Sequence, residues 1–253
     1  MGYKYKIDHD YFNEIDNEYK AYILGFIFAD GSVHQPKGNR QLNLTIAIQE
    51  EDGYILKKLS EEACGGNFSI LNPPSTIRNG CKRKACVKLV SNRIGKRLIS
   101  YGCKINKSRL GMDFPEIRED LIHHFIRGFL DGDGSILVKK LGYKYKRKTT
   151  WKMSNAHRQQ YKMKIAFCST NKVFLEKLFS FLPAKKIYIP GRMRKQMVYI
   201  LWIENAEDVK NCIEYLYKDA NYFLKRKHDK IEEFNMTIKS QAEDTSSEGL
   251  TTT

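Results

Sequence analysis

An internal repeat limits what this chain can fold into more than any other feature. Tyr22-Ile23-Leu24-Gly25-Phe26-Ile27-Phe28-Ala29-Asp30-Gly31-Ser32 is echoed by Phe125-Ile126-Arg127-Gly128-Phe129-Leu130-Asp131-Gly132-Asp133-Gly134-Ser135. The step from Gly25 to Gly128 equals that from Asp30 to Asp133, 103 residues. Repeats of this kind are structural units that bury their apolar faces against one another. Each copy reads as an apolar helix that ends in an acidic residue, with a strand beginning after the glycine at Val33 or at Ile136. Gly31 and Gly134 are expected to stop the helices by taking positive φ. Gly25 and Ala29 in one helix, and Gly128 and Gly132 in the other, put small residues four apart on one face, which lets two backbones approach closely. Packed side by side, the helices bring Asp30 and Asp133 to the same end.

The rest of each copy follows one order. In the first half Leu42, Leu44, Ile46 and Ile48 alternate with smaller or polar residues, and residues 36–40 supply a turn back to the strand after Gly31. A helix is expected around 51–62, strands around 68–71 and 85–90, and a helix around 93–101. The second half repeats this with strands after Gly134 and near 163–168, a helix near 171–181, strands near 186–189 and 197–202, and a helix near 206–218. Phe114-Pro115 interrupts regular structure between the two. The expected fold is α+β, a pseudo-two-fold pair of αββαββα half-domains: residues 1–118, residues 119–240, and a flexible tail over 241–253 with little apolar material to bury.

Two carboxylates close together repel unless a cation neutralises them, and phosphodiester hydrolysis needs charge stabilised on both an attacking and a departing oxygen. The pairing therefore suits Mg²⁺ or another divalent metal facing a nucleic acid. Read alone, either motif also fits a buried helix whose terminal carboxylate is only a solvated cap. The duplication favours the shared site.

Both repeats resemble the signature of the LAGLIDADG homing endonuclease family, and the double occurrence resembles its single-chain form, over residues 15–235. The resemblance implies a saddle of two antiparallel sheets across double-stranded DNA, with the motif helices at the junction. It implies metal-dependent double-strand breaks that leave short 3′ overhangs, made by a functional monomer. Asp30 and Asp133 match the family's metal-binding acids, whereas Phe28 stands where an earlier acid is common; Asp131 retains that acid and is expected to contact local backbone. The resemblance also favours Lys107 and Lys227 as basic residues beside the catalytic pocket. Gln49, Glu50 and Ser169, near strand ends, are candidates for a water network there.

The whole chain carries a formal charge of +15, from 44 Lys and Arg against 29 Asp and Glu, which suits a polyanionic partner. No stretch is apolar and long enough to predict membrane insertion. From Gly134 to Leu175 there is no acid at all. That interval contributes Lys139, Lys140, Lys144, Lys146, Arg147, Lys148, Arg158, Lys162 and Lys164 as DNA-binding candidates, with Tyr145 and Trp151 as surface aromatics. Lys82, Arg83 and Lys84, and Arg192 with Arg194, form smaller basic patches at expected turns. Phe167 and Trp202 are expected beneath the strands. The six cysteines lack zinc-ligand spacing and read as free thiols. The N-terminus has no secretory signal, so an intracellular location, cytoplasmic or organellar, is expected. Two other readings remain open at this stage. One is an intron maturase, with intron RNA as a partner, or a non-cleaving DNA-binding protein on the same scaffold; the other is a structural protein that packages nucleic acid.

Overall fold

The computed structural model describes residues 6–38, 40–72, 82–141, 160–185 and 198–248. The first half runs α1 (Glu18–Asp30), β1 (Gly31–His34), β2 (Asn43–Gln49), a 3-10 turn (Glu50–Asp52), α2 (Tyr54–Cys64), β3 (Phe68–Leu71), β4 (Lys84–Val90) and α3 (Asn92–Ser100). The short α4 (Lys107–Leu110) leads to the second half, which has α5 (Ile122–Asp133), β5 (Ser135–Leu141), β6 (Gln160–Ser169), α6 (Lys172–Phe179), β7 (Tyr199–Ile203) and α7 (Ala206–Tyr217). A long final helix, α8 (Lys225–Glu248), follows. The first half has the expected αββαββα order, and the second reproduces it in its described residues. The strand expected at 186–189 lies outside them.

Local chemistry sets the helix starts. The side chains of Asn17, Ser91, Asn171 and Asn205 accept hydrogen bonds from free amides at the N-termini of α1, α3, α6 and α7. The helix stops differ from expectation. Gly31 has φ −72° and Gly134 φ −83°, so neither glycine is there for a positive φ. A Cβ at Gly31 would lie 2.7 Å from the Ile27 carbonyl oxygen, and one at Gly134 would lie 2.5 Å from that of Leu130. The glycines make room for the chain to turn sharply off the helix into a strand.

The two sheets are antiparallel, ordered β1-β2-β4-β3 and β5-β6-β7. Gly31 pairs with Ile46 across the first hairpin and Ser135 with Ala166 across the second. Inward residues Leu44, Ile46 and Ile48, with Met163, Ile165 and Phe167, pack under the sheets, leaving the alternate positions on the open faces. The result is the saddle shape of two fused half-domains.

Helices α1 and α5 form the seam. Every residue of α1 from Ala21 to Ala29 is buried. A Cβ on Gly25 would lie 2.8 Å from the Phe129 amide nitrogen, and one on Gly128 would lie 3.0 Å from that of Phe26. Shifting either contact by 103 residues gives the other, as a two-fold axis between the helices requires. Each half also sends a strap across this axis. Tyr54 donates to the Phe223 carbonyl at 3.0 Å and accepts from the Lys225 amide at 2.6 Å, while Asn171 donates to the Met112 carbonyl at 2.7 Å. The wholly buried Arg127 fixes the second strap, donating to the carbonyls of Leu216 and Tyr222 and to Glu18 at 2.6 Å.

Two further expectations change. Helix α8 continues to Glu248, so the segment expected as a flexible tail from residue 241 is helical over most of its length. Residues 249–253 lie outside the described set. Trp202 does not sit beneath its strand. It pairs with Ala166 on the open face and is half-buried, whereas Phe167 is fully buried as expected.

Candidate active site

Asp30 and Asp133 end α1 and α5, and the two-fold packing brings them together. The Asp30 carboxylate reaches across the axis: its Oδ2 lies 3.3 Å from where a Cβ on Gly132 would sit. Both carboxyl groups have pKa values raised above the ordinary aspartate range, first because surrounding protein removes part of their hydration. For Asp30 the negative charge of Asp133 raises it further. Both side chains are nonetheless exposed at the surface. This is a crowded but open acidic pair, with ligand capacity facing outward. Two carboxylates at helix C-termini also oppose the helix dipole, an arrangement that costs stability unless cations are close.

The cations are Lys107 and Lys227, at the starts of α4 and α8. The Lys227 ammonium donates to the carbonyls of Leu130, Asp131 and Gly134 at 2.6, 2.7 and 2.6 Å. That of Lys107 donates to Ile27 at 3.0 Å, to Phe28 at 2.6 Å and to Ala29. Each lysine thus closes the open end of one motif helix and spends its three N–H donors doing so. Burial lowers both pKa values, that of Lys227 to about 8, while the nearby aspartates pull them back up. Lys227 is buried and Lys107 only half so.

Phe28 and Asp131 occupy equivalent places with opposite chemistry. Phe28 packs edge-on against Phe125, ring centroids 5.2 Å apart. Asp131 is fully buried and accepts from Tyr22 at 3.0 Å, Tyr217 at 2.9 Å and the Leu224 amide at 2.7 Å. Burial raises its pKa despite these donors. Asp131 therefore ties α5 to the second strap, somewhat beyond the local backbone role expected for it.

The strand register sorts the proposed water-network residues. Ser32 pairs with Thr45, and Ser135 with Ala166, so counting along the two strands makes Gln49 equivalent to Thr170. Ser169 faces the core side, buried, its hydroxyl accepting from the Asn171 amide at 3.1 Å. It is not placed at the site. Gln49 ends β2 on the open face. Glu50 is drawn to Arg83, Nε to Oε2 3.3 Å. On the second half's open face sits Cys168, its thiol pKa raised by burial and by Asp133, and Thr170, whose hydroxyl donates to the Lys107 carbonyl at 3.4 Å. Thr170 was missed in the sequence, because adjacent residues of a strand take opposite faces and only the register says which.

The open faces are basic. Lys139 lies directly opposite Lys162, and Lys164 pairs with Leu137 on the same face while forming an ion pair with Glu204 at 2.6 Å. Lys140 lies in β5 at the adjacent position. Lys84 is across from Gln49 and Lys88 across from Thr45. Lys82 and Arg83 are exposed beside the 3-10 turn and are held by Glu51 and Glu50. Lys144, Lys146, Arg147, Lys148, Arg158, Arg192 and Arg194, together with Tyr145 and Trp151, lie outside the described residues. Among the described residues no cluster of three or more His, Cys, Asp or Glu suits a metal, and no helix is long and apolar enough to cross a membrane. The described cysteines are free thiols.

Residues 126–238 match the family described as LAGLIDADG endonuclease. No curated protein matches the sequence. Among solved structures, the meganuclease I-SmaMI bound to uncleavable DNA aligns with a TM-score of 0.56 at 15% identity, covering 90% of this chain and 91% of that one. I-SmaMI bound to an uncleaved DNA target in the presence of calcium ions gives 0.56 at 15%, covering 90% and 93%. The LAGLIDADG meganuclease I-AabMI bound to uncleaved DNA gives 0.56 at 12%, covering 90% and 92%. At these identities the shared property is the fold.

Proposed function

We propose that this chain belongs to the LAGLIDADG endonuclease family, whose model matches residues 126–238, and that it is a site-specific homing endonuclease that cuts both strands of a long DNA duplex in a metal-dependent reaction, leaving short 3′ overhangs. The observation that carries this reading is the acidic pair: two carboxylates at the ends of symmetry-related helices, mutually repelling, solvent-facing and flanked by basic open sheets. Mg²⁺ or a similar ion fits that donor set, because it would compensate the lost hydration and the Asp133 repulsion that together raise the Asp30 pKa. When bound, such an ion supplies charge stabilisation to the oxygens of the scissile phosphate.

The chain's own residues provide the rest. Asp30 and Asp133 would hold the metal, and Lys107 and Lys227 fix the helix ends on which those carboxylates ride. With their donors engaged by carbonyls, the two lysines act through position and positive field. Lys139, Lys162 and Lys84 supply phosphate contacts on the open faces, where a like-charged cross-strand pair such as Lys139 and Lys162 costs stability until an anion arrives. One chain carries both half-sites, so it would act as a monomer on one duplex.

Selection of cut molecules from a randomised duplex library in Mg²⁺ tests the assignment. The parent chain should enrich a discrete cut site, and the Asp30→Asn, Asp133→Asn double variant should enrich none. Equal enrichment by both proteins would refute the role of the acidic pair.

A further inference from the structure

The two half-sites are not chemically equal, and the difference centres on Arg226. Lys227 and Lys107 are equivalent, so the residue equivalent to Arg226 is Asn106. Past the paired strands the two halves diverge: Asp52 ends a 3-10 turn before α2, whereas α6 begins directly after β6 with Asn171 as its cap. In one half-site an arginine and an aspartate form an ion pair, Arg226 Nε to Asp52 Oδ2 3.0 Å. In the other, Asn106 stands in the place of Arg226, in a left-handed conformation with φ 58°, and residues 170–173, between β6 and the body of α6, carry no acid to pair with a cation. The arginine crosses from the second half to reach the first. The Asp52 side chain is 8% exposed and that of Arg226 50%, so the carboxylate is seated in the protein while the guanidinium keeps an open side.

We propose that Arg226 binds a backbone phosphate of the DNA at the Asp30 half-site, positioned by Asp52, and that it makes cleavage of one strand depend on a group the other strand's cleavage does not use. The inference rests on the endonuclease reading. Its geometry is that of a phosphate ligand: a planar guanidinium carries five donors, and a single Nε contact to Asp52 leaves the outer fork for a second anion. The position also fits. Arg226 immediately precedes the lysine that closes the α5 end, and its charge is close enough to Asp30 to lower that group's pKa. Asp133 feels Lys107 and Lys227 but shows no matching influence from Arg226.

The test is single-turnover cleavage of a duplex recovered from the randomised library, with the two strands carrying distinguishable labels. Arg226→Gln should slow one strand by about tenfold or more, the scale of one lost charge-assisted contact, and leave the other near the parental rate. Arg226→Lys should recover part of the loss, since it keeps the charge without the fork. Asp52→Asn, which frees the guanidinium, should slow the same strand. Equal slowing of both strands, or of neither, overturns the proposal while leaving the endonuclease assignment intact. A parent chain that yields no cut duplex overturns the assignment itself, and this inference with it.

Discussion

Replacing Gly128 by Ala adds one methyl group at the tightest point between α1 and α5. In an isolated helix the change is favourable by about 1 kcal/mol. Here the new Cβ would lie 2.8 Å from the Tyr22 carbonyl carbon and 3.0 Å from the Phe26 nitrogen, and closer still to the Tyr22 oxygen. Ordinary contacts between carbon atoms are about 3.5 Å or longer, so the helices must part by the greater part of an ångström or more. Every atom in the way is main chain, so no side chain can rotate aside. Overpacking of this kind costs about 1–3 kcal/mol, and with immovable backbone on both sides the upper end applies, which outweighs the gain in propensity. The carboxylates lie one to two turns further along the same helices, and a misplacement of about 1 Å in a catalytic array costs on the order of 100-fold in rate. Gly128→Ala should therefore lower stability in urea by roughly 1–2 kcal/mol and slow cleavage by about 100-fold. DNA affinity should fall much less, because the basic sheet faces stand away from the crossing. Gly38→Ala is the control: its φ is +78° with open space around it, so it should lose about 1 kcal/mol and keep its cleavage rate. A Gly128→Ala protein as stable and as active as its parent would refute the close-packed seam.

Asp30→Asn and Asp133→Asn should each abolish most double-strand cleavage while sparing target binding, and should also raise the melting temperature near pH 7. Both folded-state pKa values are raised, so the stability these groups contribute is present below the ordinary aspartate value and is lost as pH climbs through the folded one; their charges burden the fold at neutral pH. A fall in melting temperature for both variants would contradict this sign. Lys227→Met should cost about 3 kcal/mol or more in chemical denaturation, because it strands three carbonyls in a buried place, and Lys107→Met should cost less because that lysine is half-exposed; equal losses would show that burial is not what separates them. Neutralising Lys139 and Lys162 together should weaken specific and non-specific DNA binding alike and reduce the salt slope of the binding constant by up to about 1.8, and an unchanged slope would place that face outside the DNA footprint.

The repeat was legible because it is written in local terms: apolar runs, glycines four apart and an acid before a glycine. From these the paired helices, the half-domain order and the meeting of Asp30 with Asp133 all follow. The strands with clear alternation, such as β2 and β6, were legible for the same reason. Single residues near strand ends were not. Ser169 and Thr170 are adjacent, and only the hydrogen-bonded register decides that the first faces the core and the second the site. Trp202 was misplaced by the same ambiguity, since a large aromatic suits either face of a half-buried strand.

The sequence by itself determined the secondary-structure order, the duplicated acidic helix ends and the basic character of the surface, since periodicity and charge act over a few residues and need no partner. Tertiary structure alone decided why Gly31 and Gly134 are glycines, what Lys107 and Lys227 hold, and that Arg226 crosses to Asp52 in one half-site but not in the other. Each of these depends on which atoms lie within a few ångströms across the two-fold seam. Such distances arise from packing two halves whose contacting residues, like Arg226 and Asp52, are far apart along the chain, and no local pattern records them.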